Sequence, residues 1–185
     1  MRLVIPYCLC LLATAALFLS DSVHADQDDP RLPALFKELR ETGDEDKGDR
    51  IGRQIARIWG ESGNDGIDEV VRQGKQFMDQ GKLQLALDNF TAVTRLEPEF
   101  AEGWNKRAAV LYRMGEFDAA AKSVRQALAL EPRHFLALAG LGVIHMRMGK
   151  LKEALQAFDV ALQINPHLSV TREIAEQIRK HLEKH

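Results

Sequence analysis

Three consecutive stretches decide the fold: IDEVVRQGKQFMDQGKLQLALDNFTAVTRLEPEF (67–100), AEGWNKRAAVLYRMGEFDAAAKSVRQALALEPRH (101–134) and FLALAGLGVIHMRMGKLKEALQAFDVALQINPHL (135–168). Set one above another, they align without a gap. Pro98, Pro132 and Pro166 recur at intervals of 34, with Gly81, Gly115 and Gly149 seventeen places before them. Ala86, Ala120 and Ala154 stand twelve places before the prolines, and Leu96, Leu130 and Ile164 two places before. Leu83, Phe117 and Leu151, then Phe90, Val124 and Phe158, then Val93, Ala127 and Ala161, and finally Gly74, Ala108 and Gly142 complete the register. A fixed period of this size is the sequence mark of a repeat architecture.

Each recurrence has a mechanical reason. Within a period, apolar residues return at helical spacing in two bursts, Val70-Gly74-Phe77 and Leu83-Ala86-Leu87-Phe90-Val93, separated by the glycine. That pattern predicts a helix, a turn and a second helix. The glycine can enter the left-handed region and close the first helix without a Cβ clash. Gly74, Ala108, Gly142 and the alanines are small where two helix axes approach, and Phe90, Val124 and Phe158 fill the space beside them. The proline stops the second helix and presets the turn into the next unit.

Trp104, Gly115, Phe117, Ala120, Ala127 and Pro132 in the second unit, and Leu141-Gly142, Gly149, Ala154, Phe158, Ala161 and Pro166 in the third, resemble the tetratricopeptide repeat. The first unit departs from it, with Gln73 where Leu is usual and Val93 where Ala is usual. The resemblance covers about 55% of the chain. It implies an all-α fold, a right-handed superhelix of three helix-turn-helix units (67–100, 101–134 and 135–168). It also implies a non-catalytic interaction module whose hollow side, lined by the first helix of each unit, holds a partner protein or peptide. On that side the resemblance places Met78, Tyr112 and Met146, the next residues Asp79, Arg113 and Arg147, and with them Lys75, Asn105, Lys106, Ala109 and Val143. Methionine and tyrosine suit adaptable apolar contact. Arg113 and Arg147 are placed to grip an acidic group or a C-terminal carboxylate. The alternative is that Met78, Tyr112 and Met146 are packing residues and the arginines are solvated. Some family members clamp a carboxylate with a lysine and asparagines; here Val71, Lys75, Lys106, Leu136 and Gly140 occupy those places, so only fragments of the clamp survive.

The flanks are expected to cap the stack. Residues 26–66 carry seven basic and eleven acidic side chains. Leu32, Leu35, Phe36 and Leu39 form one apolar face and Ile51, Ile55, Ile58 and Trp59 another, with Gly43 between them. This predicts a degenerate helical hairpin covering the first repeat, ending at the turn Asn64-Asp65-Gly66. In 169–185, Val170, Ile174, Ile178 and Leu182 recur every four residues and predict a capping helix.

Residues 1–25 read as a signal peptide: Arg2, the apolar run Leu9 to Leu19, and Val23-His24-Ala25 before the cleavage point. The rival, an uncleaved membrane anchor over Leu3 to Leu19, is weakened by Pro6 and by Ser20-Asp21-Ser22. Cys8 and Cys10 both fall in this segment, so the mature chain would have no disulfide, thiolate metal site or cysteine nucleophile. With export, the chain is similar to small periplasmic repeat proteins of Gram-negative bacteria, without membrane insertion after cleavage.

Over all 185 residues, Lys+Arg 25 against Asp+Glu 27 gives a net charge of -2, without the basic surplus of a nucleic-acid binder. No cofactor, metal site or catalysis is expected: GxSxG, P-loop and HExxH patterns are missing from the sequence. Asp44 to Asp49 has calcium-loop character without the closing glutamate and reads as a solvated acidic linker. His181 and His185 are four apart at a chain end, too few for a metal. His145 reads as a core histidine, and Asn89-Phe90-Thr91 as a mid-helix triplet unsuited to glycosylation. A second functional reading is a structural or assembly subunit of an envelope complex, using the convex face or the N-terminal hairpin. N-terminal sequencing of the exported protein should begin at Asp26; a mature product starting at Met1 would refute cleavage.

Overall fold

The computed structural model describes residues 29–184. Those residues form nine helices and no strand: α1 (Leu32–Glu41), α2 (Glu45–Trp59), α3 (Asp65–Asp79), α4 (Leu83–Leu96), α5 (Ala101–Arg113), α6 (Phe117–Leu130), α7 (Phe135–Arg147), α8 (Leu151–Ile164) and α9 (Ser169–Leu182). The three periods become the pairs α3–α4, α5–α6 and α7–α8, packed in sequence as a superhelical stack. Among the described residues no helix is long and apolar enough to cross a membrane. The proposed signal segment lies outside them.

The periodic glycines make the turns for the reason the sequence gives. Gly81, Gly115 and Gly149 take φ of 73°, 83° and 73°. The following N–H then reaches back to close each first helix: Lys82 to the Phe77 carbonyl, Glu116 to Leu111 and Lys150 to His145, each at 2.9 Å. Between the first and second units, the Trp104 indole N–H donates to the Pro98 carbonyl at 2.9 Å, so the aromatic of the pattern anchors the inter-unit turn.

Inside each unit, helix separation is set by one matched pair. A Cβ on Gly74 would lie 2.9 Å from the Phe90 ring, and one on Gly142 would lie 2.4 Å from Phe158. The second unit makes the opposite exchange of volume, with Ala108 and the smaller Val124 in one core cluster. Phe90, Val124 and Phe158 are all buried.

The flanks correct three expectations. The N-terminal hairpin forms from α1 and α2, but it does not cover the first repeat. Its core of Leu32, Phe36, Leu39, Ile51, Ile55, Ile58 and Trp59 takes Phe135, Ile164 and Leu168 as partners, all from the third unit and the turns around it. The stretch from Asp44 is not a linker: Asp44 accepts the Lys47 N–H at 3.0 Å and caps α2. Gly48 on that helix receives the His167 ring so closely that a Cβ would come within 2.2 Å of it. The His167 Nε2 then donates to the Leu39 carbonyl at 3.1 Å. On α9, Ala175 and Ile178 are buried against Ala154 and Phe158, whereas Val170 is 68% exposed. A string of every fourth residue drifts about 40° per step around a helix of 3.6 residues per turn, so Val170 has rotated off the stripe centred on Ile178.

Gly140 and Gly142, about 3 Å of rise apart on α7, therefore have opposite sensitivities. Gly142→Ala should cost about 1–3 kcal/mol through the clash with Phe158, whereas Gly140→Ala, whose Cβ meets nothing within 4 Å, should gain about 0.5–1 kcal/mol of helix stability. Adding Phe158→Val to Gly142→Ala recreates the Ala108–Val124 pairing, and urea denaturation should find the double variant less destabilised than the sum of its singles. Strict additivity would show that the pair does not set the spacing.

Candidate functional site

The first helices of the second and third units, α5 and α7, present matching faces. Asn105, Ala109 and Tyr112 follow one another at helical spacing on α5; Leu136, Gly140 and Val143 do so on α7. Between them is an open depression of about 410 Å³, floored by Ala108, Val124 and Ile144 and edged by Arg113. Its lining is mainly aliphatic, and Gly140 leaves it unobstructed on one side. Of the residues expected to form the groove, Asn105, Ala109, Tyr112, Arg113 and Val143 are brought together here.

The others go elsewhere. Met78 packs beside Ala86, Phe90 and Val110, and Met146 beside Ala154, Phe158 and Ile178; both are half-buried, and Met146 lines a separate open cleft with Leu151 and Ile174, so neither joins this depression. Tyr112, in the same register, keeps one side on Phe117 with ring centres 5.7 Å apart and turns the other to the depression. The arginines bind back to the stack. Arg113 Nη1 donates to the Met78 carbonyl at 2.7 Å, joining α5 to the carboxyl end of α3. Arg147 lies over the Phe117 ring at 5.9 Å, joining the third unit to the second. Lys75 is exposed on α3, away from the depression.

Lys106 leads to the residue that sequence reasoning missed. Its Nζ pairs at 2.5 Å with Glu102 Oε1, and Glu102, in the first turn of α5, is 5% exposed. Glu102 Oε2 accepts the Asn105 side-chain N–H at 2.7 Å and a bond from His134 Nε2 at 3.0 Å. The His134 Nδ1 accepts the Ala137 N–H at 3.3 Å, so in the neutral ring the proton sits on Nε2 and points at the carboxylate. Burial opposes the Glu102 charge. The His134 hydrogen bond and the Lys106 ammonium outweigh it and hold the carboxyl at about 2, below its ordinary 4.5. Because Glu102 can only accept, Asn105 must turn its NH₂ inward, which leaves its Oδ1 free to accept a hydrogen bond at the depression. An acidic residue in a helix's first turn is ordinary helix electrostatics, so nothing in the sequence marks this one as buried.

Outside this region, His145 is half-buried, and burial lowers its pKa. Asn89 donates to the Leu85 carbonyl at 2.8 Å on α4, beside the buried Phe90. His185 lies outside the described residues. Among them, no group of three or more His, Cys, Asp or Glu side chains is arranged to hold a metal ion.

Residues 71–113 and 106–169 match the tetratricopeptide repeat family, described as "Tetratricopeptide repeat". The chain belongs to that family. A TPR repeat-containing protein of Rhizobium etli is 31% identical over 154 residues, spanning 83% of this chain and 74% of its own. The first TPR of Spaghetti (RPAP3), solved with the HSP90 peptide SRMEEVD, superposes with a TM-score of 0.61 at 22% identity, covering 63% of this chain and 93% of that one. The second TPR domain of human RPAP3, solved with the HSP70 peptide SGPTIEEVD, gives 0.56 at 25% identity over 58% of this chain and 90% of that one. The tetratricopeptide repeat is a protein-interaction module, and both RPAP3 domains were solved with a bound peptide.

The lowered Glu102 pKa fixes the direction of an acid effect. Its stabilising contribution is complete above 4.5 and is lost as pH falls through 4.5 toward about 2. Glu102→Gln should be less stable than wild type at pH 7, and the gap should close across that window in urea titrations at pH 7, 4.5 and 3. A gap independent of pH would show that Glu102 is not held ionised.

Proposed function

We propose that this protein works without catalysis of its own, holding an extended segment of another protein in the depression between α5 and α7. The observation that carries the reading is the pairing of an aliphatic floor with one oriented polar group. Ala108, Val124, Val143 and Ile144 can bury an apolar side chain of the partner. Asn105 Oδ1, set by Glu102, can accept a backbone N–H beside it. Affinity would come from burying apolar area at about 25 cal/mol per Å², offset by the cost of ordering the segment.

The two RPAP3 domains were solved with peptides ending in EEVD, and an acidic partner group was an expectation for Arg113 and Arg147. In this chain Lys106 is committed to Glu102, Arg113 to the Met78 carbonyl and Arg147 to Phe117. The outer face of Arg113 is left to meet a carboxylate at the rim. We therefore assign specificity chiefly to apolar side chains, with acidic groups secondary.

Export to the cell envelope is part of this proposal and is supported by the residue pattern of 1–25. Capture of another envelope protein is the role that combines it with the groove. The reading as an assembly subunit draws on a separate observation, since the hairpin exposes Arg50, Arg53 and Arg57 on α2 around a second depression.

A fluorescein-labelled SRMEEVD heptapeptide and its counterpart SRMLLVN test the groove. Fluorescence anisotropy should show the leucine peptide binding more tightly. The combined Ala109→Arg and Gly140→Arg substitutions, both at positions open to solvent, should abolish its binding while helicity by circular dichroism is unchanged. Equal binding of the leucine peptide to wild type and the double variant would place the contact elsewhere.

A further inference from the structure

We infer that the N-terminal hairpin is a working part of the groove: Trp59, acting through His134 and Glu102, positions Asn105 and Lys106. The inference rests on the groove being the peptide site.

The chain of contacts is short and almost wholly buried. The Trp59 indole stacks on the His134 ring with centres 4.3 Å apart and planes 24° from parallel. Trp59 is held in turn by Phe36 and Phe135, at 5.8 and 5.1 Å. His134 is gripped three ways: by the stack on its face, by the Ala137 N–H on Nδ1 at 3.3 Å, and by Glu102 Oε2 on Nε2 at 3.0 Å. Trp59, His134 and Glu102 are 3%, 1% and 5% exposed, so water does not readily replace a lost partner. Glu102 is the branch point, because its Oε2 holds Asn105 and its Oε1 holds Lys106.

The same register position links the N-terminal segment to the first unit as well. Asp68, one period before Glu102, accepts the Ser62 hydroxyl at 2.6 Å and the Ser62 N–H at 2.9 Å, just after α2 ends. One period after Glu102 stands Leu136, which shares a small cleft with Gly52, Arg53 and Ala56 of α2. Residues 52–62 thus meet the first turns of α3 and α7 directly, by the Ser62 hydrogen bonds and the shared cleft, and that of α5 through the His134 ring. Only the route through His134 sets a side chain at the depression.

Without the Trp59 stack, the His134 ring can turn about its own bonds. A buried Glu102 that loses its Nε2–H donor regains solvation only by swinging outward. Asn105 and Lys106 would follow it, and the Oδ1 facing the partner would lose its fixed direction. Trp59, His134 and Glu102 are therefore positioning residues, acting through Asn105.

The test uses the full-length chain with Trp59→Leu, His134→Phe and Trp59→Phe. His134→Phe keeps an aromatic face for Trp59 while removing the donor to Glu102. Ile178→Ala, buried on α9 and outside both this chain of contacts and the depression, serves as the stability control. The ligand-free readout is the side-chain amide pair of Asn105 in ¹⁵N-edited spectra, and the second readout is affinity for SRMLLVN. Trp59→Leu and His134→Phe should shift or broaden the Asn105 amide pair and weaken the peptide by about tenfold, the equivalent of one lost hydrogen bond. Trp59→Phe should keep both as in wild type, and Ile178→Ala should alter neither. If Trp59→Leu fails to fold, His134→Phe decides. Asn105 signals unchanged in His134→Phe, or equally disturbed in Ile178→Ala, would overturn the inference. If wild type binds neither heptapeptide, the groove reading fails, while the Asn105 signals still judge the positioning.

Discussion

The close approach of two helices inside each unit is the constraint on which the rest depends. At 74 and 90, 108 and 124, and 142 and 158, one partner of the pair is glycine or alanine and the other fills what it vacates. Glycine faces phenylalanine in the outer units and alanine faces valine in the middle one, so filled volume is kept while the residues change. That is the condition under which close-packed interiors tolerate substitution. In the middle unit the same pair, Ala108 and Val124, is also the floor of the depression between α5 and α7, so the packing that holds α5 to α6 shapes the bottom of the groove.

What could be read from the sequence was what the chain says three times. The helix pairs, the glycine turns and the proline stops are local arrangements encoded at the same offsets in each period, and repetition separates them from coincidence. Apolar faces on α1 and α2 were also legible, because amphipathic spacing is local. Their destination was not. Docking of the hairpin on Phe135, Ile164 and Leu168 depends on Gly48 and Gly52 admitting His167 and Asn165. Each of those glycines occurs once, and Gly48 falls in the Asp44–Asp49 stretch whose charge suggests a solvated linker.

The groove residues show how far register carries an assignment. Met78, Tyr112 and Met146 share one place in the period, yet only Tyr112 faces the depression. The next place holds Arg113 and Arg147, whose side chains staple successive units together. Register predicts which face of a helix a residue occupies; the neighbouring unit decides whether that face is open. Leu136 and Gly140 illustrate the converse. They stand where some family members carry clamp residues, and by lacking polar groups they make this groove aliphatic.

A stack of repeats is held together mainly between neighbours, which lets it fray from its ends and fold in pieces. The hairpin breaks that rule. The hydrogen bond from His167 to the Leu39 carbonyl joins residues 128 positions apart, and Arg133 lies 4.6 Å over the Phe36 ring. Such a tie costs loop-closure entropy that grows only slowly with length, and in return it binds the third unit, the one next to α9, to the beginning of the described chain. Opening that end then requires undocking Trp59 from His134 as well. The contacts that make the stack more cooperative are the same ones that lead to Glu102, so the stability of the hairpin and the order of the groove's polar rim are coupled.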